Sequence, residues 1–260
     1  MRVAIYTLGC KVNQYETQAM EQELVRRGHT LVPFEEAADA YIVNTCSVTA
    51  VSDKKSRQMI RRCRKLNENA VVAACGCYVQ THPDEAATLA LDLIAGTGDR
   101  MAFLDLLEQA AHEKEPVTLL DDALRRRDFE VLPAGGMAER TRAMLKVEDG
   151  CVNFCTYCII PYARGPVRSL PLETAAAQTR QLRAEGYREL VLTGIEISSW
   201  GHDLKDGSSS TASGGSIRRR WQPSAAATSR PTWTRSGSWT WICWQAPAGG
   251  WSFWTGWNPP

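Results

Sequence analysis

The stretch Cys151-Val152-Asn153-Phe154-Cys155-Thr156-Tyr157-Cys158 spaces three thiols as C-x3-C-x2-C. Thiols this close make no sensible disulfides with one another, and three are one short of a closed metal site. Structural zinc takes four protein ligands, and so does an electron-transfer iron–sulfur cluster. Three thiolates on a four-iron cluster leave one iron open, and an open iron can bind a substrate. The plainer readings are three loop cysteines, or a zinc knuckle that borrows a fourth ligand.

A second trio is scattered along the first hundred residues, and here the elements decide. Val3-Ala4-Ile5-Tyr6, Tyr41-Ile42-Val43-Asn44, Ala70-Val71-Val72-Ala73 and Leu91-Asp92-Leu93-Ile94 read as buried strands. Helical patterns alternate with them. One carries Met20 and Leu24 at i and i+4 and stops at Gly28, a second runs from about Ser52 to Leu66, and a third puts Phe103, Leu104 and Leu107 on one face. This alternation predicts an α/β fold, a parallel sheet with helices on both faces. In such a sheet all strand C-termini share one edge, where ligands bind. Cys10, Cys46 and Cys77 each follow a strand, so the topology gathers them on one rim. Buried cysteines packing as small hydrophobes would not need each to sit just past a strand end.

The local sequences around these thiols are Thr7-Leu8-Gly9-Cys10-Lys11-Val12-Asn13-Gln14-Tyr15-Glu16-Thr17, Asn44-Thr45-Cys46-Ser47-Val48-Thr49 and Gly76-Cys77-Tyr78. They resemble the N-terminal domain of the radical methylthiotransferases, and the C-x3-C-x2-C triplet resembles the signature of the radical S-adenosylmethionine superfamily. The resemblance implies two 4Fe-4S clusters, one on Cys10, Cys46 and Cys77 and one on Cys151, Cys155 and Cys158, the latter chelating S-adenosylmethionine. It implies that Tyr157 packs on the adenine of S-adenosylmethionine, and that Thr193-Gly194-Ile195-Glu196 lies beside its methionine end, with Gly194 and Glu196 as cofactor-binding residues. Cys75 competes with Cys77 as a ligand, and the Gly-Cys-Tyr match favours Cys77.

Within the family, Cys10-Lys11-Val12-Asn13-Gln14-Tyr15 resembles the branch acting on N6-threonylcarbamoyladenosine of tRNA. The implied activity is methylthiolation of C2 of that nucleoside at position 37, with the tRNA anticodon arm as partner and a reductant such as flavodoxin or ferredoxin. A sibling acting on isopentenyladenosine or on a ribosomal protein would keep all six cysteines. A non-enzymatic iron–sulfur or zinc protein would show a four-cysteine set such as C-x2-C-x2-C-x3-C, which does not occur.

Charge and composition bound the rest. With 30 basic and 29 acidic residues the net charge is +1, so RNA contact must come from local patches. The segment after Cys46 supplies one: Lys54, Lys55, Arg57, Arg61, Arg62, Arg64 and Lys65 read as a phosphate-binding face or as an ordinary solvated one. Nine cysteines, an odd count at metal-like spacings, point to a reduced cytoplasmic setting rather than a disulfide scaffold. Nothing approaches the apolar length of a membrane span, and a monomer is expected.

The expected organisation is a cluster-bearing domain over 1–112, a linker over 113–139 and the start of a radical S-adenosylmethionine β/α barrel over 140–208. The linker reading rests on Pro116, Asp121-Asp122, Arg125-Arg126-Arg127 and Pro133-Ala134-Gly135-Gly136. The barrel reading rests on a strand leading into Cys151, a helix from Leu172 to Gly186 and a second strand over Glu189 to Ile195. Residues 211–260 contain no Asp, Glu, Lys, Leu or Val yet hold eight of the nine Trp. They show neither helical nor strand periodicity, so 209–260 is expected to be a disordered, non-native tail, translated out of frame after Asp206-Gly207-Ser208. One and a half β/α units cannot close a barrel, and the chain as written is expected to express poorly and show little activity.

Overall fold

The computed structural model describes residues 1–113, 115–135 and 142–204, together with the backbone of 232–233 and 239–244. The chain divides into two compact units. One comprises Met1–Arg126 with Val152–Pro166, and the other Arg127–Cys151 with Val167–Pro260.

The first unit is a parallel sheet of six strands: β1 (Arg2–Thr7), β2 (Thr30–Leu31), β3 (Ala40–Thr45), β4 (Val71–Gly76), β5 (Leu93–Ala95) and β6 (Val117–Leu119), in the order β2-β1-β3-β4-β5-β6. Its helices are α1 (Lys11–Arg26), α2 (Ala50–Leu66), α3 (Cys77–Thr81), α4 (Pro83–Ala87), α5 (Arg100–Glu113) and α6 (Ile160–Arg164). Period-two alternation along the strands splits the core into two faces. Tyr41, Val43, Val72 and Ala74 pack with Met59, Ile60 and Cys63 of α2. Ile42, Ala40, Ala73, Cys75 and Leu93 pack with Met20 and Leu24 of α1 and with Phe103, Leu104 and Leu107 of α5. Both faces are therefore covered, which is why the central strands read as unbroken apolar runs.

The helix ends follow local chemistry. Thr49 caps α2, its Oγ1 accepting from Ser52 N at 3.2 Å. α1 ends where Gly28 takes φ 84°, with Gly28 N bonded to Val25 O and His29 N to Leu24 O.

Two strands go beyond the four read from sequence. β2 is two exposed residues at the sheet edge, and β6 lies within the stretch 113–139 that the sequence reads as a linker. Both are too short for alternation to register. They are strands because β1 and β5 offer them an unpaired edge.

The second unit holds β7 (Arg142–Lys146), β8 (Glu148–Asp149), β9 (Arg168–Ser169), α7 (Leu172–Ala184) and β10 (Glu189–Thr193). β7 and β10 are parallel neighbours, in register from Arg142↔Glu189 to Lys146↔Thr193. This is a β-α-β step of the kind that begins a β/α barrel. α7 stops at Gly186, as the sequence predicts, with φ 93° there. Of the Trp-rich tail the described backbone comprises β11 (Thr232–Trp233) and β12 (Trp239–Trp244), the latter antiparallel to β10. Ladder pairing uses backbone groups alone, so it needs no side-chain period. The rest of the tail lies outside the described residues.

Candidate functional site

β1 and β3 are neighbours in the sheet, yet α1 follows β1 onto one face and α2 follows β3 onto the other. The strand order therefore reverses between them. A doubly wound sheet opens a crevice at such a point, beyond its strand C-termini. Cys10 lies at that crevice as the N-cap of α1, and Cys46 is the residue after β3. Cys77, at the first position of α3, directly follows β4.

The three loops are pressed together. Gly9 has φ 103°, and a Cβ there would stand 2.9 Å from Cys46 Cβ and 3.0 Å from its Sγ. Only glycine lets the Cys10 loop come so close to the Cys46 thiol. Asn13 donates through Nδ2 to Leu8 O at 2.8 Å and to Thr45 O at 2.9 Å, tying the residues ahead of Cys10 and Cys46 to one amide. Ser56 on α2 donates to Cys46 O at 3.1 Å and accepts from Cys46 N at 3.3 Å. Thr81 donates to Cys77 O at 2.9 Å, and its Oγ1 lies 3.3 Å from Ser47 Oγ.

Cys77 lies within electrostatic reach of both Cys10 and Cys46. Burial pushes its thiol up to about 12, against the pull of Arg164. Burial also raises Cys10, again opposed by Arg164. Without a metal, then, both remain protonated at neutral pH, and a metal that binds them must displace their protons. Among the described residues no three His, Cys, Asp or Glu are drawn tightly enough to hold a single metal ion.

The remaining cysteines of the first unit belong to the core. Cys75 packs with Leu93 and Phe103, while Cys63 donates to Met59 O at 3.3 Å and is pushed up to about 12 by burial.

Of the C-x3-C-x2-C stretch, Cys155 and Cys158 fall in the first unit and Cys151 closes a segment of the second. Cys158 N donates to Cys155 O at 2.9 Å, so the loop turns tightly between these thiols, and Phe154 just ahead of Cys155 has φ 43°. Tyr157 is 91% exposed, and Phe154 meets Tyr162 edge-on at 5.8 Å. The loop presents ring surface outward.

α6, which follows this loop, is fixed within the first unit by Arg164. Both its side chain and that of Glu16 are fully buried. Nη1 donates to Glu16 Oε1 at 2.6 Å, and Nη2 to Asn13 Oδ1 at 2.7 Å. Arg100 approaches the same carboxylate at 2.9 Å. Thr97 adds a bond to Ala163 O at 2.5 Å.

Gly194 and Glu196 follow β10 in the second unit, beside a residue that the sequence reading missed. Glu148 is fully buried. Its Oε2 accepts from Glu196 N at 2.7 Å, while Oε1 has no hydrogen-bond partner among the described residues. A Cβ on Gly194 would stand 2.7 Å from Oε2, so Gly194 makes room for this carboxyl. Burial pushes Glu148 up to about 8, leaving it mostly neutral at pH 7. Asp149 beside it is ionically paired, 3.2 Å from Lys146 Nζ and 3.3 Å from Arg168 Nη2. The signal available in sequence was a carboxylate at an apolar strand's end, one easily taken for a loop residue.

The basic helix α2 sorts into two sets. Arg57 pairs with Glu85 at 3.1 Å, and Arg64 with Asp92 at 2.7 Å and with Ala70 O and Ala90 O. Lys54, Lys55, Arg61 and Lys65 are exposed. In the linker triplet, Arg126 is held by Asp121, by Thr97 Oγ1 at 2.6 Å and by Gln80 Oε1 at 2.9 Å, which makes it structural. Among the described residues no helix is long and apolar enough to cross a membrane.

Over most of its length the chain is similar in sequence to known proteins. Residues 2–96 match a family described as uncharacterized protein family UPF0004. The threonylcarbamoyladenosine tRNA methylthiotransferase MtaB of Bacillus subtilis is 45% identical over 205 residues, covering 78% of this chain and 46% of that protein. MtaB of Aquifex aeolicus is 39% identical over 204 residues, 78% of this chain and 50% of that protein. The tRNA-2-methylthio-N(6)-dimethylallyladenosine synthase of Thermotoga petrophila is 35% identical over 215 residues, 80% of this chain and 47% of that protein. The chain thus spans about half the length of the curated relatives it matches. Over the 78% that aligns with the first of these, the chain belongs to the methylthiotransferase family.

Proposed function

We propose that the chain carries the cluster-binding part of a radical S-adenosylmethionine tRNA methylthiotransferase that adds a methylthio group to C2 of N6-threonylcarbamoyladenosine at position 37. What supports this reading is that Cys10, Cys46 and Cys77 follow the C-terminal ends of the neighbouring parallel strands β1, β3 and β4 and that Cys77 interacts electrostatically with the other two, in a chain that also bears C-x3-C-x2-C. The choice of nucleoside follows the 45% and 39% identities to the two MtaB proteins. The 35% identity to the dimethylallyladenosine synthase favours isopentenyladenosine as the second reading.

Each trio holds one 4Fe-4S cluster in this reading: Cys10, Cys46 and Cys77 the first, Cys151, Cys155 and Cys158 the second. The chemistry of the donor set fits. Three thiols spread over separate loops suit a cluster of several irons, each thiol on its own iron, better than a single ion. Arg164 supplies positive charge beside them. When bound, the second cluster and S-adenosylmethionine supply the radical chemistry that opens an unreactive C–H bond, which acid–base side chains cannot do.

The chain's own residues position these groups. Gly9, Asn13, Ser56 and Thr81 hold the first three thiols, and Tyr157 offers a ring to the adenine. In this reading Gly194 and Glu196 serve the methionine end, and Gly194 makes room for the neutral carboxyl of Glu148, which accepts from Glu196 N. The exposed Lys54, Lys55, Arg61 and Lys65 form a phosphate-binding face for the tRNA anticodon arm. The working setting is the reducing cytoplasm, with a small electron carrier such as flavodoxin or ferredoxin as reductant and the protein acting as a monomer.

Iron and sulfide analysis after anaerobic reconstitution tests this directly. About eight irons per chain support two clusters, whereas zinc or about four irons refute the pair. Nucleoside mass spectrometry of tRNA from a strain lacking the gene then separates the two nucleosides: the methylthio form that disappears names the substrate.

A further inference from the structure

Arg164 ends the helix that follows Cys158, yet its guanidinium is buried among the residues that hold the other three cysteines. Asn13 accepts from Arg164 at 2.7 Å and donates to Leu8 O and Thr45 O, the backbone ahead of Gly9-Cys10 and of Cys46. One arginine, through one asparagine, therefore steadies two of the thiol loops. Its charge also reaches Cys10 and Cys77. A guanidinium does not lose its proton in a protein, and buried charges are weakly screened. The positive charge at this rim is therefore permanent. Glu16, shared by Arg164 and Arg100, offsets part of it.

We propose that Arg164 is the charge partner and positioning residue of the Cys10, Cys46 and Cys77 centre, and that Glu16 sets how much of its charge the centre feels. The inference rests on the reading of that trio as an iron–sulfur site. One-electron reduction adds a negative charge to the centre. A fixed cation nearby favours the reduced form, and a carboxylate opposes it. The side chain that anchors the Cys155–Cys158 segment then also tunes the first centre. Displacement of that segment would be felt there as a loss of positive charge.

The test uses the full 260-residue chain with Cys151, Cys155 and Cys158 changed to Ala, so that only the first trio can take up iron. It is reconstituted anaerobically with iron and sulfide and titrated redox-wise by electron paramagnetic resonance. In this background Arg164→Met is expected to move the midpoint potential negative and Glu16→Gln to move it positive. Arg164→Lys should stay closer to the parent than Arg164→Met. A merely structural role would cost all three variants iron and would not give shifts of opposite sign. Equal potentials for the parent and Arg164→Met, or shifts of the same sign for Met and Gln, overturn the inference. Should Arg164→Met fail to fold, the parent, Lys and Gln variants decide by the same order of potentials. A parent that takes up no iron sinks the reading of the trio and this inference with it, an outcome distinct from an unmoved potential on a loaded centre.

Discussion

Glu16 and Arg164 stand 148 positions apart in the chain and meet with Nη1 2.6 Å from Oε1, both side chains without solvent exposure. Such a pair repays its desolvation only while both partners are present. Glu16 serves two arginines, so its loss strands two buried cations, while loss of Arg164 leaves Glu16 its bond to Arg100. Glu16→Ala is therefore expected to destabilise the first unit by about 3–5 kcal/mol and Arg164→Met by less. Urea unfolding of the two variants, followed by circular dichroism, checks the order. A larger loss for Arg164→Met would contradict it.

Glu148 makes stability depend on pH in a stated direction. Burial raises its carboxyl from 4.5 to about 8 in the folded chain. Between those values the folded state holds a proton that the unfolded state has released. Its contribution is fully present below the unfolded value and is lost as pH rises through the folded one. Melting temperature should accordingly fall from pH 5 to pH 9, with Glu148 contributing on the order of a few kcal/mol to the difference. Glu148→Gln, which keeps the shape and cannot ionise, should flatten most of that slope. An unchanged slope in the variant would show that other groups cause it.

The sequence made the thiols legible because each closes a strand whose apolar run is unmistakable, and parallel topology does the rest. Cys10, Cys46 and Cys77 could be placed on one rim from the pattern alone. The meeting of Arg164 with Glu16 could not, since no periodicity links a helix end after the triplet to the second turn of α1. β2 and β6 were invisible for another reason: two or three residues show no alternation, and only a waiting sheet edge makes them strands. Glu148 escaped notice because its character comes from what surrounds it. A carboxyl ahead of Asp149-Gly150 reads as solvated until β10 and Gly194 are seen to close over it.

If α2 binds RNA as proposed, its face separates RNA binding from structure. Arg61 and Lys65, exposed at i and i+4, lie on the solvent side, while Arg64 is bonded to Ala70 O, Ala90 O and Asp92. Arg61→Glu with Lys65→Glu should weaken tRNA binding and lower the salt slope by about 1 for each phosphate no longer neutralised, with little change in melting temperature. Arg64→Ala should do the reverse, costing about 1–3 kcal/mol of stability by removing its charge-assisted bonds to Ala70 O, Ala90 O and Asp92. Filter binding across a salt series, beside thermal melts, reads both. Equal binding by the charge-reversed variant would remove this face from the interface.

The neighbouring thiols Cys75 and Cys77 provide the sharpest test of the rim. They sit two residues apart, yet one packs in the core with Leu93 and Phe103 and the other begins α3 at the C-terminal end of β4. Cys75→Ala removes a packed core sulfur and should cost about 1 kcal/mol of stability while leaving iron content intact. Cys77→Ala should lower iron by about four per chain, one cluster's worth, and Cys46→Ala should do the same while sparing part of the S-adenosylmethionine cleavage. Cys155→Ala should abolish that cleavage and leave the first cluster's iron in place. If Cys75→Ala loses iron and Cys77→Ala keeps it, the chain uses the other thiol, and β4 must end before Cys75 rather than at Gly76. A side chain within a strand stands roughly perpendicular to the sheet, so a thiol held in the ladder faces a helix layer and reaches the rim only once the chain has left the strand.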